Sequence, residues 1–242
     1  MSDQLNDLID KRRKSILNFV YQSCQGKVQY GPFTGMKIIP KFCWGDGDLG
    51  GKLLGLYENE LFEIIENVIE DNPDLIINYG CAEGFYGIGL ALRLPNTKVI
   101  SLDIEPKALD IAKENAEENN VKNIEFSREC NHEYLENILS QYQKPFIIMD
   151  CEGAEDIILD PYKISSLKKT NILVETHDCL YPGITSRLID KFEATHDLGE
   201  IMQGPKNLHI EPIKVLSDLD KLILCNENRP CTMSWILMTP KE

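Results

Sequence analysis

From residue 74 onward, short continuous apolar runs alternate with longer segments whose apolar residues recur every three to four positions. A strand buried in a parallel sheet reads as an unbroken apolar run, whereas a crossover helix shows a 3.6-residue period. On this reading DLIINYG, TKVISLDI, NIEFSREC, KPFIIMDCEG and TNILVETHD are strands. YGIGLALRL, EPKALDIAKENAEENN, HEYLENILSQY and SRLIDKFEATHD are helices, the second with Ala108, Leu109, Ile111, Ala112 and Ala116 on its apolar side. EDIILDPYKISSL is a helix or turn segment. LGEIMQG is a candidate sixth strand, IKVLSDLDKLILCNENRP a helix with Ser217 as N-cap, and MSWILMTPK a closing strand. Strands alternating with helices predict an α/β fold: a doubly wound, mostly parallel sheet of seven strands.

Residues 1–73 read as a helical and loop extension preceding a domain of residues 74–242. The first helix carries an apolar stripe of Leu5, Leu8, Ile9, Ile16, Leu17 and Val20. A Gly/Pro-rich loop from Tyr30 to Gly51 follows, then a helix over LYENELFEIIENVIED. The aromatics Tyr30, Phe33, Phe42, Trp44 and Tyr57 have two readings of equal weight, a lid over an acceptor pocket or packing over a sheet edge.

Charge and composition narrow the function. The formal net charge of −14 on 242 residues argues against a nucleic-acid binder, because phosphate contacts need a dense positive surface. The run Lys11-Arg12-Arg13-Lys14 reads as a solvated helix face, the alternative being a patch that steers an anionic partner. With no apolar stretch of membrane-spanning length and no signal-peptide pattern at the N-terminus, a cytoplasmic location away from membranes is expected. Eight cysteines occur without a CxxC pair, so zinc has no support and free thiols are expected. A homo-oligomer stays open.

Candidate chemistry concentrates in LIINYGCAEGFYGIGLAL, residues 75–92. A turn between strand and helix that contains Gly80 and Gly84 lets a ligand approach the backbone and the helix N-terminus. The turn residues Gly80, Cys81, Ala82, Glu83 and Gly84 are therefore cofactor-binding candidates. A dinucleotide fingerprint needs G-x-G-x-x-G, but Ala82 takes the middle position and the Glu83 carboxylate repels a pyrophosphate. The same carboxylate tolerates an ammonium or sulfonium, which favours S-adenosylmethionine over NAD. Asp103, at the end of the second strand, suits the ribose hydroxyls; the alternative is a cap on the next helix.

The order of NYGCAEGFYGIGLA, SLDIEP, IIMDCEGAED and ILVETHD resembles class I S-adenosylmethionine-dependent methyltransferases, and most nearly their FkbM-like branch. The resemblance covers roughly residues 74–180. It implies a Rossmann-like methyltransferase fold whose last strand is antiparallel, and O-methylation of a small-molecule hydroxyl such as a sugar or polyketide. It puts Gly80, Ala82 and Gly84 beneath the cofactor, Ile104 against adenine, and Cys130 and Asn131 at the adenine edge. Cys130 reads equally well as a small core residue. Two positions depart from the family pattern: Ala82 replaces a glycine, and Asn78 replaces an acid that would hold the amino-acid end of the cofactor. Asn78 can still hydrogen-bond there, without charge.

Asp150, Glu152 and Glu155 follow the fourth strand, and Glu175, His177 and Asp178 close the fifth. Three readings compete. Asp150 and His177 are catalytic, with His177 as general base near its ordinary pKa. Alternatively Asp150, His177 and Asp178 bind a divalent cation. In the third, Glu152 and Glu155 cap a helix while His177 bonds to backbone. No D/N-P-P-Y/F segment follows the fourth strand, and Asp160-Pro161-Tyr162 reads as a turn, which argues against a nucleobase acceptor. The rival functions are a NAD-dependent oxidoreductase and a non-catalytic fold relative serving as a scaffold.

Overall fold

The computed structural model describes residues 2–129, 131–227, 229 and 231–241, without the side chains of residues 2–5. Cys130 and the Leu5 side chain, both named above, lie outside the described residues. Strands β1 (Leu75–Tyr79), β2 (Lys98–Leu102), β3 (Ile124–Ser127), β4 (Pro145–Met149) and β5 (Asn171–Thr176) run parallel. With β6 (His196–Met202) and β7 (Ser234–Pro240) they form a seven-stranded sheet of order β3-β2-β1-β4-β5-β7-β6. β7 is antiparallel to both of its neighbours. The expected doubly wound, mostly parallel Rossmann-like sheet is therefore the observed one.

The helices are α1 (Ser2–Cys24), α2 (Leu49–Leu54), α3 (Phe62–Asp71), α4 (Phe85–Arg93), α5 (Pro106–Glu118), α6 (His132–Leu139), α7 (Glu155–Ile158), α8 (Ile184–Phe192) and α9 (Asp218–Cys225). From β1 the chain winds outward through β2 and β3, then returns to lay β4 on the other side of β1. That reversal is the topological switch point, and it opens a crevice beyond the carboxyl ends of β1 and β4. Gly80 and Asp150 leave those two strands side by side, since Tyr79 and Met149 are register partners.

Successive strand residues face opposite sides, so the sheet carries two cores. Ile77, Ile147, Val174 and Ile236 pack with Leu135, Leu188 and Phe192 on one face. Ile76, Ile148, Leu173 and Trp235 pack on the other with Ile16, Leu17, Val20, Leu53, Leu54 and Ile65. The N-terminal segment thus packs on this face beside α4, α5 and α9 and shares its core.

Four expectations change. The loop assigned from Tyr30 to Gly51 ends in α2, whose Gly-Gly pair has poor helix propensity. Burial of Leu49, Leu53 and Leu54 in the shared core overrides it. The helix expected over LYENELFEIIENVIED starts only at Phe62, after a 3-10 turn at Asn59–Leu61, because Glu58 is left-handed at φ 46. In the basic run Lys11, Arg12 and Lys14 are exposed and Arg13 is not. Arg12 pairs with Asp220 of α9 at 2.6 Å, and the largely buried Arg13 pairs with Asp46 at 2.6 Å. Finally, the cysteines are not all free: Cys179 and Cys231 form a disulfide. Among the described residues no helix is long and apolar enough to cross a membrane.

Candidate active site

The turn after β1 is built by the backbone. Gly80 has φ +75, and a Cβ there would fall on the Asp150 carbonyl, so the two chain exits fit only with glycine. Ala82 is also left-handed, at φ 42, and its N–H donates to the Asp103 carboxylate at 2.8 Å. Asp103 accepts a second bond from the Glu105 N–H at 2.9 Å, while Glu105 itself caps α5. The helix-cap alternative for Asp103 therefore passes to Glu105. Ile104 beside it is 75% exposed. Cys81 is buried at the turn.

Two expected cofactor contacts are engaged elsewhere. Asn78 is buried, and its Oδ1 accepts from the Gly87 N–H at 3.0 Å, bonding β1 to the first turn of α4. Asn131 is the N-cap of α6, its side chain accepting from the Tyr134 N–H at 2.8 Å.

A cavity of about 460 Å³ opens against the turn, between Ala82, Glu83, Gly84 and Phe85 on one side and the segment from Met36 to Tyr57 on the other. Glu83 holds that segment through the Cys43 N–H at 2.7 Å. Of the five expected lid aromatics, Phe42, Trp44 and Tyr57 line the cavity, Trp44 being 70% exposed at its edge. Phe33 instead packs edge-on against Phe85 and Tyr86. Lys52 stands over the Tyr57 ring at 4.7 Å. A second, adjoining cavity of about 160 Å³ is lined by Glu175, His177, Arg229 and Met233, and shares Asp48, Tyr57, Asp150, Glu152 and Glu227 with the first.

At that shared wall His177, 1% exposed, is ringed by carboxylates. Its Nδ1 lies 2.8 Å from Glu155; its Nε2 lies 3.4 Å from Glu152, 3.5 Å from Asp150 and 3.7 Å from Glu175. Burial lowers the His177 pKa, but the Glu155 bond and the charges of Asp150, Glu155 and Glu175 outweigh it and raise it to about 9. At neutral pH the ring is thus an imidazolium, which corrects the general-base reading. Burial first, then the Glu58 charge, pushes Asp150 up to about 7 against the pull of His177. One Asp150 oxygen, Oδ1, is buried without a hydrogen-bond partner. The helix-cap reading of Glu155 also fails, since α7 has no side-chain cap.

Sequence reasoning missed the groups that brace this wall. Arg229, between α9 and β7, donates to Glu58 and Glu175 and bonds Glu227 at 2.8 Å. Glu58, fully buried, also takes the Tyr86 hydroxyl. One guanidinium so joins the N-terminal segment, β5 and the C-terminal segment. Nothing local marks it in sequence beyond a lone cation two residues after Glu227.

The expected metal set does not assemble. Asp178 caps α8, accepting from the N–H groups of Gly183 at 2.9 Å and Thr185 at 3.0 Å. Donor atoms of Asp150, Glu175 and His177 do lie within 4.8 Å of one another. Arg229 already sits on Glu175, however, and a divalent cation there would meet that guanidinium. These residues do not fit a divalent ion. They fit S-adenosylmethionine better: the turn brings bare backbone to the crevice at the carboxyl end of β1.

A twisted sheet with an antiparallel seventh strand, a glycine turn after β1 and acids after β2 and β4 define a methyltransferase architecture. An O-methyltransferase from Bacillus cereus, solved with SAH, shares the fold: TM-score 0.53, 16% identity, covering 94% of this chain and 91% of that one. A methyltransferase-domain family model matches residues 71–203, over half of the chain. The chain belongs to this family, and so to the class I S-adenosylmethionine-dependent methyltransferases. It is 36% identical over 101 residues to a ribosomal protein L11 methyltransferase of Vibrio campbellii, covering 40% of this chain and 30% of the relative. It is 34% identical over 61 residues to a release factor glutamine methyltransferase of Enterococcus faecalis, covering 24% of this chain and 22% of the relative. The chain therefore spans less than a third of either relative.

Proposed function

We propose that the protein transfers a methyl group from S-adenosylmethionine to a hydroxyl of a small molecule held between the two cavities. The observation that carries this reading is Asp150: it directly follows β4 at the switch point, lines both cavities and holds a buried Oδ1 that makes no hydrogen bond, with His177 Nε2 3.5 Å away. The cofactor, when bound, supplies a methyl on a sulfonium whose sulfur leaves as a neutral thioether. The acceptor oxygen gains the methyl, and its proton passes to Asp150, whose pKa near 7 suits a base at neutral pH. Gly80, Ala82 and Gly84 would lie beneath the cofactor, with Asp103 on the ribose and Ile104 against adenine. The segment of residues 36–57 would serve as the acceptor lid, positioning the hydroxyl and excluding water. Kinship with the FkbM-like branch is part of the proposal, supported by the D-x-E-G-x-E spacing of Asp150, Glu152 and Glu155.

Thermal denaturation with S-adenosylhomocysteine or NAD tests this reading. A ligand at about 100 times its Kd stabilises by about 2.7 kcal/mol, so S-adenosylhomocysteine should raise the melting temperature and NAD should not. Stabilisation by NAD alone would establish an oxidoreductase instead, and no shift with either would indicate a non-catalytic relative.

A further inference from the structure

One short segment supplies three of the four carboxylates around His177. Asp150 directly follows β4, Glu152 and Gly153 are left-handed at φ 57 and φ 110, and Glu155 opens α7. A side chain at position 153 is excluded by its φ and by the Tyr181 ring, which occupies the place of a Cβ. The tight reversal directs Glu155 inward, where it is wholly buried and its Oε1 accepts from the Gly153 N–H at 2.9 Å. The same oxygen meets His177 Nδ1 at 2.8 Å. On the other ring nitrogen no carboxylate among the described residues comes closer than 3.4 Å. The Nδ1 bond is thus the ring's short hydrogen bond, and a histidine's orientation and tautomer are set by such a bond.

We propose that Glu155 is a positioning residue that, through Nδ1, fixes the His177 ring with Nε2 turned toward Asp150, Glu152 and Glu175. This rests on the methyltransferase reading of the site and gives the acidic segment a division of labour. Glu155 orients the ring, and the ring's Nε2–H holds the acceptor-side carboxylates together. Asp150 is left to take the acceptor proton. The charged groups facing the ring come from every packed element: Asp150 and Glu152 from the reversal after β4, Glu155 from α7 and Glu175 from β5. Arg229 acts on the far side of Glu175, with Glu58 behind it. Because Arg229 and Glu58 do not touch the ring, neither replaces Glu155 as its anchor.

Nitrogen-15 NMR of the histidine rings tests this directly, with the His177 signals assigned by their loss in H177Q. In the native protein both His177 nitrogens should be protonated at pH 7, with titration near pH 9. In the isosteric E155Q variant the titration should fall by at least about one pH unit, a ~10-fold change in proton affinity, and the Nδ1 signal should move. Glu175→Gln, which changes a more distant carboxylate, should leave the Nδ1 signal in place. Identical His177 spectra in native protein and E155Q would overturn the proposal. So would a native Nδ1 that carries no proton at pH 7, because it could not then donate to Glu155; that result decides even if E155Q does not fold. S-adenosylhomocysteine binding by calorimetry, measured on both proteins, reports on folding and on the cofactor reading. Its absence from the native protein would sink the methyltransferase reading, whereas unchanged ring spectra with intact binding would sink only the role of Glu155.

Discussion

At the scale of single residues, the glycine turn and the acids differ in how openly they display their roles. Gly80 is legible because a strand followed by glycine, before a helix, signals close backbone approach. The structure adds what approaches: the Asp150 carbonyl, in the space a Cβ would need. Gly80→Ala should therefore destabilise the protein by roughly 3 kcal/mol or more, combining backbone strain with a clash. Urea denaturation reads this, and a loss below about 1 kcal/mol would show that the two strand exits can separate freely. Asn78 was less legible. Its position fits a cofactor contact, yet its carbonyl oxygen is engaged by Gly87. His177 carried the opposite difficulty: its identity suggested a base, but three of the four carboxylates that surround it come from a segment more than twenty residues away in the chain.

Among elements, periodicity located the strands and the longer helices, because burial on one or both faces writes a repeat into the chain. α9 shows a local signal that the structure bears out. Ser217 accepts from the Asp220 N–H at 3.2 Å, as an N-cap does. Ser217→Ala should cost about 1 kcal/mol, measured by chemical denaturation. An unchanged midpoint would mean that packing of α9 on α1 alone keeps its first turn formed. α2 shows the converse. A Gly-Gly pair reads as loop, and the six-residue helix exists because Leu49, Leu53 and Leu54 are buried in a core shared with α1 and the sheet. Short elements draw their stability from tertiary contacts, and these leave little trace in a local window.

For the whole molecule, the Cys179–Cys231 disulfide ties the exit of β5 to the segment carrying Arg229, across 52 residues. Closing a loop of that length lowers the entropy of the unfolded chain, so reduction should cost about 4 kcal/mol. Comparing urea midpoints with and without a dithiol reductant measures the effect. Eight reactive thiols in unreduced, denatured protein would refute the bond. The alternation of strands and helices, the spoiled dinucleotide turn and the order of acids after the strands were determined by sequence alone. Each is a local pattern with a local physical cause: pleat, helical period, or backbone reach. Only the tertiary structure decided which face the N-terminal segment packs on and that Arg229 braces the site. It also decided that two cysteines pair, that Asp178 caps a helix while Glu155 holds His177, and that the histidine is a cation. Those outcomes depend on distances between groups far apart in the chain, and on the low dielectric of their burial, where small separations decide which charge persists.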